Sequence, residues 1–323
     1  MQRDESELPI LPARPADGHK GTFGTVSVVG GCDGPDAVML GAPVLAARAA
    51  LRAGCGLVRL VMARPLLYHA LAIEPQATGV ALRTDVLGQV EPSHMTERID
   101  EVSRASRCLV VGPGLGLGEV ACGAVLRAMQ QEDAACVLDA DALTLMSRTE
   151  DLTREIRARA ILTPHPGEYL RLARALRLPE GVGSPDERLE ACAALAQRLG
   201  CVCVLKGHRT VVSDGLRAWV CERGGVELGV AGTGDVLAGV IAGIVSQHAM
   251  DASLPGLTPE QQMALAGDAL RTLSLYDAAR VGVEIHARAG EAWRTRHGGA
   301  AGGLVARELC DEIPAIVEAM RSS

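Results

Sequence analysis

Thr25-Val26-Ser27-Val28-Val29-Gly30-Gly31 is a β-branched run that stops on two glycines, and Met39 to Ala53 follows it with small apolar residues suited to a packed helix. This is one strand-loop-helix unit, and the same alternation extends along the chain. The pattern predicts strands over Leu57–Met62, Cys108–Val111, Cys136–Leu138, Ala160–Leu162 and Cys201–Leu205. Between them it predicts helices near Ser93–Arg104, over Val120–Gln130 and over Pro185–Leu199. Nearly every strand is a short, wholly apolar run, as required of strands buried on both faces of a parallel sheet. The reading is an α/β chain folded as a three-layer α/β/α sandwich. Asp214-Gly215 between Thr210-Val211-Val212-Ser213 and Arg217-Ala218-Trp219-Val220 adds a short hairpin, and with it an antiparallel edge to a mostly parallel sheet.

The ends read differently. Pro9, Pro12, Pro15 and Gly18 make residues 1–18 an extended arm, and 19–323 a single catalytic domain. From Thr233 the chain is helical almost to its end, with Thr258 and Pro259 as cap and first residue of a helix Glu260–Arg280. Gly298–Gly303 is a surface loop between two helices.

Composition narrows the function. The 323 residues carry a formal net charge of −7 and only six aromatic side chains, so there is neither a basic face for a phosphate backbone nor a stacking platform for bases. Nucleic acid is excluded as a partner, and any phosphate must be held locally by backbone N–H groups and one or two cations. Ten cysteines lie scattered in apolar segments with no CxxC pair, which reads as reduced, buried thiols and no zinc site. The polar start Met1-Gln2-Arg3-Asp4-Glu5-Ser6-Glu7 has no apolar core of a signal peptide, and no run of about 18 apolar residues follows. No membrane partner is expected, and the location is read as cytoplasmic.

Five segments could carry chemistry. Ala231-Gly232-Thr233-Gly234-Asp235 passes straight into an apolar helix, so the N–H groups of its first turn form an anion site. Asp235 in that turn is either a general base for a hydroxyl attacking a phosphoryl group or a partner of the helix dipole. Lys206-Gly207-His208-Arg209-Thr210 follows a buried strand, where ligands of open α/β sheets collect, and is a nucleotide contact or a solvated turn. Thr163-Pro164-His165-Pro166-Gly167-Glu168 holds His165 between two prolines, a stiff extended setting that suits a site or a structural residue equally. Gly112-Pro113-Gly114-Leu115-Gly116-Leu117-Gly118 does not reproduce GxGxxG and reads as a close backbone approach to substrate or as a tight turn. Asp139 and Asp141 touch substrate or phosphate-bound magnesium, or cap the helix that follows.

Taken in order, these segments, with His19-Lys20-Gly21-Thr22-Phe23-Gly24 and Gly41 to Gly54, resemble the ADP-dependent NAD(P)H-hydrate dehydratases. That family is the nicotinamide-repair branch of the ribokinase-like fold, and the match spans roughly Leu11 to Pro314. The resemblance implies dehydration of the S-epimer of NADH or NADPH hydrate, with ADP as phosphoryl donor, ATP as a possible substitute, and Mg2+. It places Ala42, Gly116 and His165 against the hydrated nicotinamide nucleotide, and Asp235 against its reacting hydroxyl. Lys206, Gly207, His208, Arg209 and Thr210 would face the adenine nucleotide together with Gly232 and Gly234. A homo-oligomer, a tetramer, is implied, and residues before His19 are too few for the epimerase domain of some relatives. A small-molecule alcohol kinase of the same fold and a catalytically silent nucleotide-binding protein are the alternatives. Glu227, in Gly225-Val226-Glu227-Leu228-Gly229-Val230 where the family has a Gly- and Ala-rich run, departs from the pattern and reads as a solvent-facing residue or a perturbation of the phosphate site.

Overall fold

The computed structural model describes residues 1–34, 37–86, 90–249 and 272–321. In chain order the elements begin with β1 (Gln2–Arg3), β2 (Thr25–Val29), β3 (Cys32–Asp33), β4 (Val38–Met39), α1 (Gly41–Arg52), β5 (Leu57–Ala63), α2 (Arg64–Ile73) and β6 (Thr78–Leu82). There follow α3 (Pro92–Arg104), β7 (Cys108–Val111), α4 (Glu119–Met129), β8 (Ala135–Leu138), α5 (Asp141–Met146), α6 (Leu152–Glu155), β9 (Ala160–Leu162) and α7 (Pro166–Leu176). The last part holds α8 (Pro185–Leu199), β10 (Val202–Leu205), β11 (Val211–Ser213), β12 (Arg217–Val220), a 3-10 turn at Val226–Leu228, α9 (Thr233–His248), α10 (Leu275–Arg296) and α11 (Ala306–Ala319).

Among the described residues ten strands form one sheet in the order β1-β12-β11-β10-β9-β8-β7-β2-β5-β6. From β10 to β6 every pair is parallel, while β11 runs antiparallel to both β10 and β12. The expected sandwich and hairpin are therefore present, with β1 covering the outer side of the hairpin through parallel pairing of Gln2 with Arg217 and Arg3 with Ala218. The apolar strands β7, β8, β9 and β10 are buried along their whole length, as helices on both faces demand. One core joins the sheet to α1, α9, α10 and α11; the other joins it to α3, α4, α5, α7 and α8.

Small side chains make the first core possible. Helix α9 is apolar nearly all round and lies between α1 and α10, and a methyl group on Gly239 would come within 2.1 Å of the Ala46 carbonyl oxygen. The scarcity of aromatic residues thus corresponds to helices packed at close range.

Several elements escape the sequence pattern, among them α2, β6 and α7, and one helix start differs. Strand β6 reads Thr78-Gly79-Val80-Ala81-Leu82, an edge strand exposed at its start, with too little apolar alternation to register. Helix α7 begins at Pro166 directly after His165, where the sequence suggests only a stiff, extended segment. The helix expected over Glu260–Arg280 is interrupted before its last residues, which belong to α10: Ser274 is extended and its hydroxyl accepts from the Asp277 N–H, so α10 starts at Leu275, while Thr258–Arg271 lie outside the described residues. The N-terminal residues are bonded to the fold: Leu11 is buried, and Arg280 is enclosed by Asp4, Ser6 and Asp277. No described helix is long and apolar enough to cross a membrane.

Candidate active site

Strand β2 sits between β5 and β7, so the chain order reverses there, and the loops leaving β2, β7, β8, β9 and β10 emerge at one edge of the sheet. Ligands of open α/β sheets bind outside that edge. The segments singled out in the sequence all lie on it. The β7 loop carries Gly112–Gly116, the β8 loop Asp139 and Asp141, the β9 loop His165 and the β10 loop Lys206, with the first turn of α9 facing them.

Lys206 is the centre of the charged cluster. Its Nζ stands 2.7 Å from Asp139 Oδ1 and 3.8 Å from Glu168 Oε2, and a Cβ on Gly234 would lie 3.4 Å from it. Burial alone would depress the ammonium's pKa, but Asp139 and Glu168 outweigh it and raise the value, so Lys206 is charged at neutral pH. Asp235 is pushed up as well, to about 7, by burial first and then by the Asp139 charge, with Lys206 opposing. Glu168 is also raised to about 7 by burial, with Lys206 opposing. A carboxyl poised near neutrality at the N-terminus of a long buried helix is suited to accept a proton.

Neither aspartate of the β8 loop caps α5. Asp139 pairs with Lys206, and Asp141 Oδ2 accepts the Gly116 N–H at 2.8 Å, so the carboxylate shapes the glycine loop. Gly112, at φ +121°, passes so close to this loop that a Cβ would lie 1.9 Å from the Asp139 carbonyl oxygen. Gly114 lies by α1, 3.7 Å from the Ala42 Cβ to its own ideal Cβ, and Gly116 opens on a cavity of about 480 Å³ beside Cys32.

His165 is the N-cap of α7. Its Nδ1 accepts from the N–H groups of Gly167 and Glu168, while Glu168 Oε2 accepts from the His165 N–H at 2.8 Å. Burial, Lys206 and Arg171 lower its pKa, so the ring is neutral; with Nδ1 occupied as an acceptor, the proton resides on Nε2. The Nε2 of His165 stands 3.4 Å from Glu168 Oε1. Both roles left open for it in the sequence are compatible in one residue. Glu168 had a signal in its spacing from His165, that of a capping box, but its contact with Lys206 is purely tertiary.

Lys206, Gly207, His208, Arg209 and Thr210 line a cavity of about 470 Å³ together with Gly234, Thr233, Leu237, Val283 and His286. His286, on α10, had no sequence signal. Gly232 is the N-cap of α9 in the left-handed region at φ +89°, where its ideal Cβ would meet Leu45 and Ala306. Glu227 corrects an expectation, since it does not face solvent. It is buried, its Oε1 accepts the Gly225 N–H at 2.9 Å, and its Oε2 is 4.0 Å from the Arg294 guanidinium, so it braces the turn that forms the cavity wall. Among the described residues no group of three or more His, Cys, Asp or Glu side chains could hold a metal ion.

Residues 26–315 match the family model of NAD(P)H-hydrate dehydratase. The chain belongs to this family. It is 36% identical over 250 residues to the ADP-dependent (S)-NAD(P)H-hydrate dehydratase of Neisseria meningitidis, covering 74% of each chain. It is 32% identical over 316 residues to the bifunctional NAD(P)H-hydrate repair enzyme of Thermofilum pendens, covering 97% of this chain and 53% of that protein. The chain spans about half the length of several bifunctional relatives it matches. Among solved structures, the ADP/ATP-dependent NAD(P)H-hydrate dehydratase of Bacillus subtilis, co-crystallized with ATP/Mg2+, superposes with a TM-score of 0.70 at 26% identity, covering 96% of this chain and 95% of that one. The ribokinase-like fold is shared with an Enterococcus faecalis protein at TM-score 0.72, 20% identity and coverage of 97% and 93%.

Proposed function

We propose that this chain dehydrates the S-epimer of NAD(P)H hydrate back to NAD(P)H, using ADP as phosphoryl donor and releasing AMP and phosphate. The observation that carries the reading is Asp235, a carboxyl raised to about 7 in the first turn of α9, beside a cavity lined by Lys206–Thr210 and Gly234. The family membership supports the chemistry, and the name of the Neisseria relative supports ADP as the nucleotide.

In this reading Asp235 takes the proton of the hydrate's hydroxyl, and that oxygen attacks the terminal phosphorus of ADP. The bond from phosphorus to AMP breaks as the new one forms. The ring nitrogen's electron pair then expels phosphate from the carbon, and loss of a proton from the adjacent carbon restores the ring double bond. Phosphate leaves far more readily than hydroxide, and this is the purpose of the transfer. Gly232 and Gly234 donate backbone N–H groups to the charge developing on the phosphoryl oxygens. Lys206, Gly207, His208, Arg209 and Thr210 hold the nucleotide, while Ala42, Gly116 and the Nε2–H of His165 face the hydrated nicotinamide nucleotide. Magnesium, when bound with the nucleotide, offsets its phosphate charge. A homotetramer in the cytoplasm completes the proposal.

Absorbance at 340 nm tests it. Purified protein, magnesium and S-NADH hydrate are mixed with ADP or with ATP. A rise that requires nucleotide supports the reaction and names the donor. Consumption of nucleotide only when simple alcohols are supplied would replace it with an alcohol kinase.

A further inference from the structure

The nucleotide cavity contains one imidazole that the proposed chemistry leaves unused. His286 of α10 lines it, and its Nε2 lies 2.9 Å from the carbonyl oxygen of Thr233. A carbonyl only accepts, so Nε2 carries the hydrogen and donates. Burial, with Lys206 adding to it, lowers the pKa of this ring to about 4, so one neutral tautomer persists across the physiological range.

Thr233 is held from two sides. Its hydroxyl shares one hydrogen between the carbonyls of Leu228 and Val230, at 2.8 and 2.9 Å, which ties it to the incoming turn. His286 ties its carbonyl to a different helix. The carbonyl of Thr233 and the N–H of Gly234 belong to one planar trans peptide and point in opposite directions. A donor fixed on the carbonyl therefore sets the direction of the Gly234 N–H and, by polarising the amide, strengthens it as a donor.

We infer that His286 is a positioning residue for phosphoryl transfer, aiming and polarising the Gly234 amide through the Thr233 carbonyl. This rests on the reading of Gly234 as a phosphoryl contact. Its consequence is selective: the amide acts on charge that develops during transfer, so the effect belongs to the transition state more than to bound nucleotide.

The test compares wild type with His286→Gln, which keeps a side-chain N–H donor, and His286→Phe, which keeps a ring and loses the donor. Calorimetry measures the affinity for AMP alone and for AMP with magnesium and aluminium fluoride, a mimic of the transferring phosphoryl group. Expected for His286→Phe is a loss of about tenfold in kcat and in the gain in affinity that fluoride confers, with AMP affinity within about threefold. His286→Gln should recover most of that gain. Should His286→Phe fail to fold, His286→Gln and His286→Leu carry the same comparison. Equal fluoride-dependent gains with and without the donor would overturn the inference, as would equal losses of AMP and AMP–fluoride binding. A wild-type protein that binds neither AMP nor ADP would instead overturn the functional reading beneath it.

Discussion

Lys206 Nζ and Asp139 Oδ1 are 2.7 Å apart where the carboxylate is 2% exposed, and the two residues come from the loops after β10 and β8, on either side of β9, separated by 67 positions in the chain. The pair occupies the middle of the site, with Glu168 and Asp235 as further negative neighbours of the one ammonium. A buried pair of this kind contributes little net stability when intact but is costly to break, since the remaining charge is stranded.

Lys206→Met should therefore destabilise the protein by about 3–5 kcal/mol, read by urea denaturation. Because Lys206 is the group that lowers the Asp235 pKa, the acid limb of the rate profile should also move to higher pH. Unchanged stability together with an unmoved limb would contradict the central place given to this lysine.

Asp235→Asn should abolish most turnover while leaving ADP affinity within a few-fold, as calorimetry would show, because the backbone donors persist. In wild type, activity should rise with pH through about 7, since only the deprotonated carboxyl takes a proton. An acid limb near the ordinary carboxylate value would remove Asp235 from that role.

The same shifts bear on stability. Asp235 and Glu168 both have folded pKa values of about 7, above their ordinary values of 3.8 and 4.5. A carboxyl raised in the folded state favours folding most when protonated, so its contribution declines as pH rises from about 4 to 7. The double variant Asp235→Asn, Glu168→Gln should accordingly unfold at a melting temperature about 2–4 °C higher at pH 8 and show a flatter pH dependence over that window. A lower melting temperature for the double variant at pH 8 would show that the two charges support the fold.

Gly112→Ala tests the geometry of the β7 loop. Its φ of +121° is barely accessible to alanine, and the new Cβ would lie 1.9 Å from a backbone oxygen. A loss of about 3 kcal/mol or more is expected, with turnover impaired by displacement of Asp139. Near-wild-type denaturation would mean that the loop can move aside.

Deleting residues 1–7 would leave the Arg280 guanidinium, whose side chain is 2% exposed, without Asp4 and Ser6, with Asp277 remaining. The expected cost is about 3 kcal/mol, measurable as an earlier unfolding transition. If the shortened chain unfolds with the full chain, the arm is dispensable to the fold.

The sandwich was legible because its signals are local and repeated. Buried parallel strands have to be apolar along their whole length, so Cys108–Val111, Ala160–Leu162 and Val202–Leu205 announce themselves, and Asp214-Gly215 marks the hairpin by its backbone needs alone. Strand β6 was missed because an edge strand needs only one buried side. The loops at this edge of the sheet were also visible, each placed at a strand end by its glycines, prolines and charged residues. Their partners were not. That Asp139 meets Lys206, that Asp141 holds Gly116, that Glu227 is shut away under the turn it braces, and that His286 reaches Thr233 from another helix are facts of packing between segments far apart in the chain. The sequence by itself determined which residues could bear charge, turn tightly or line a sheet, because those properties belong to single side chains and short windows. Only the tertiary structure decided which charges face each other and how far from water, and pKa values, tautomers and the direction of an amide depend on that.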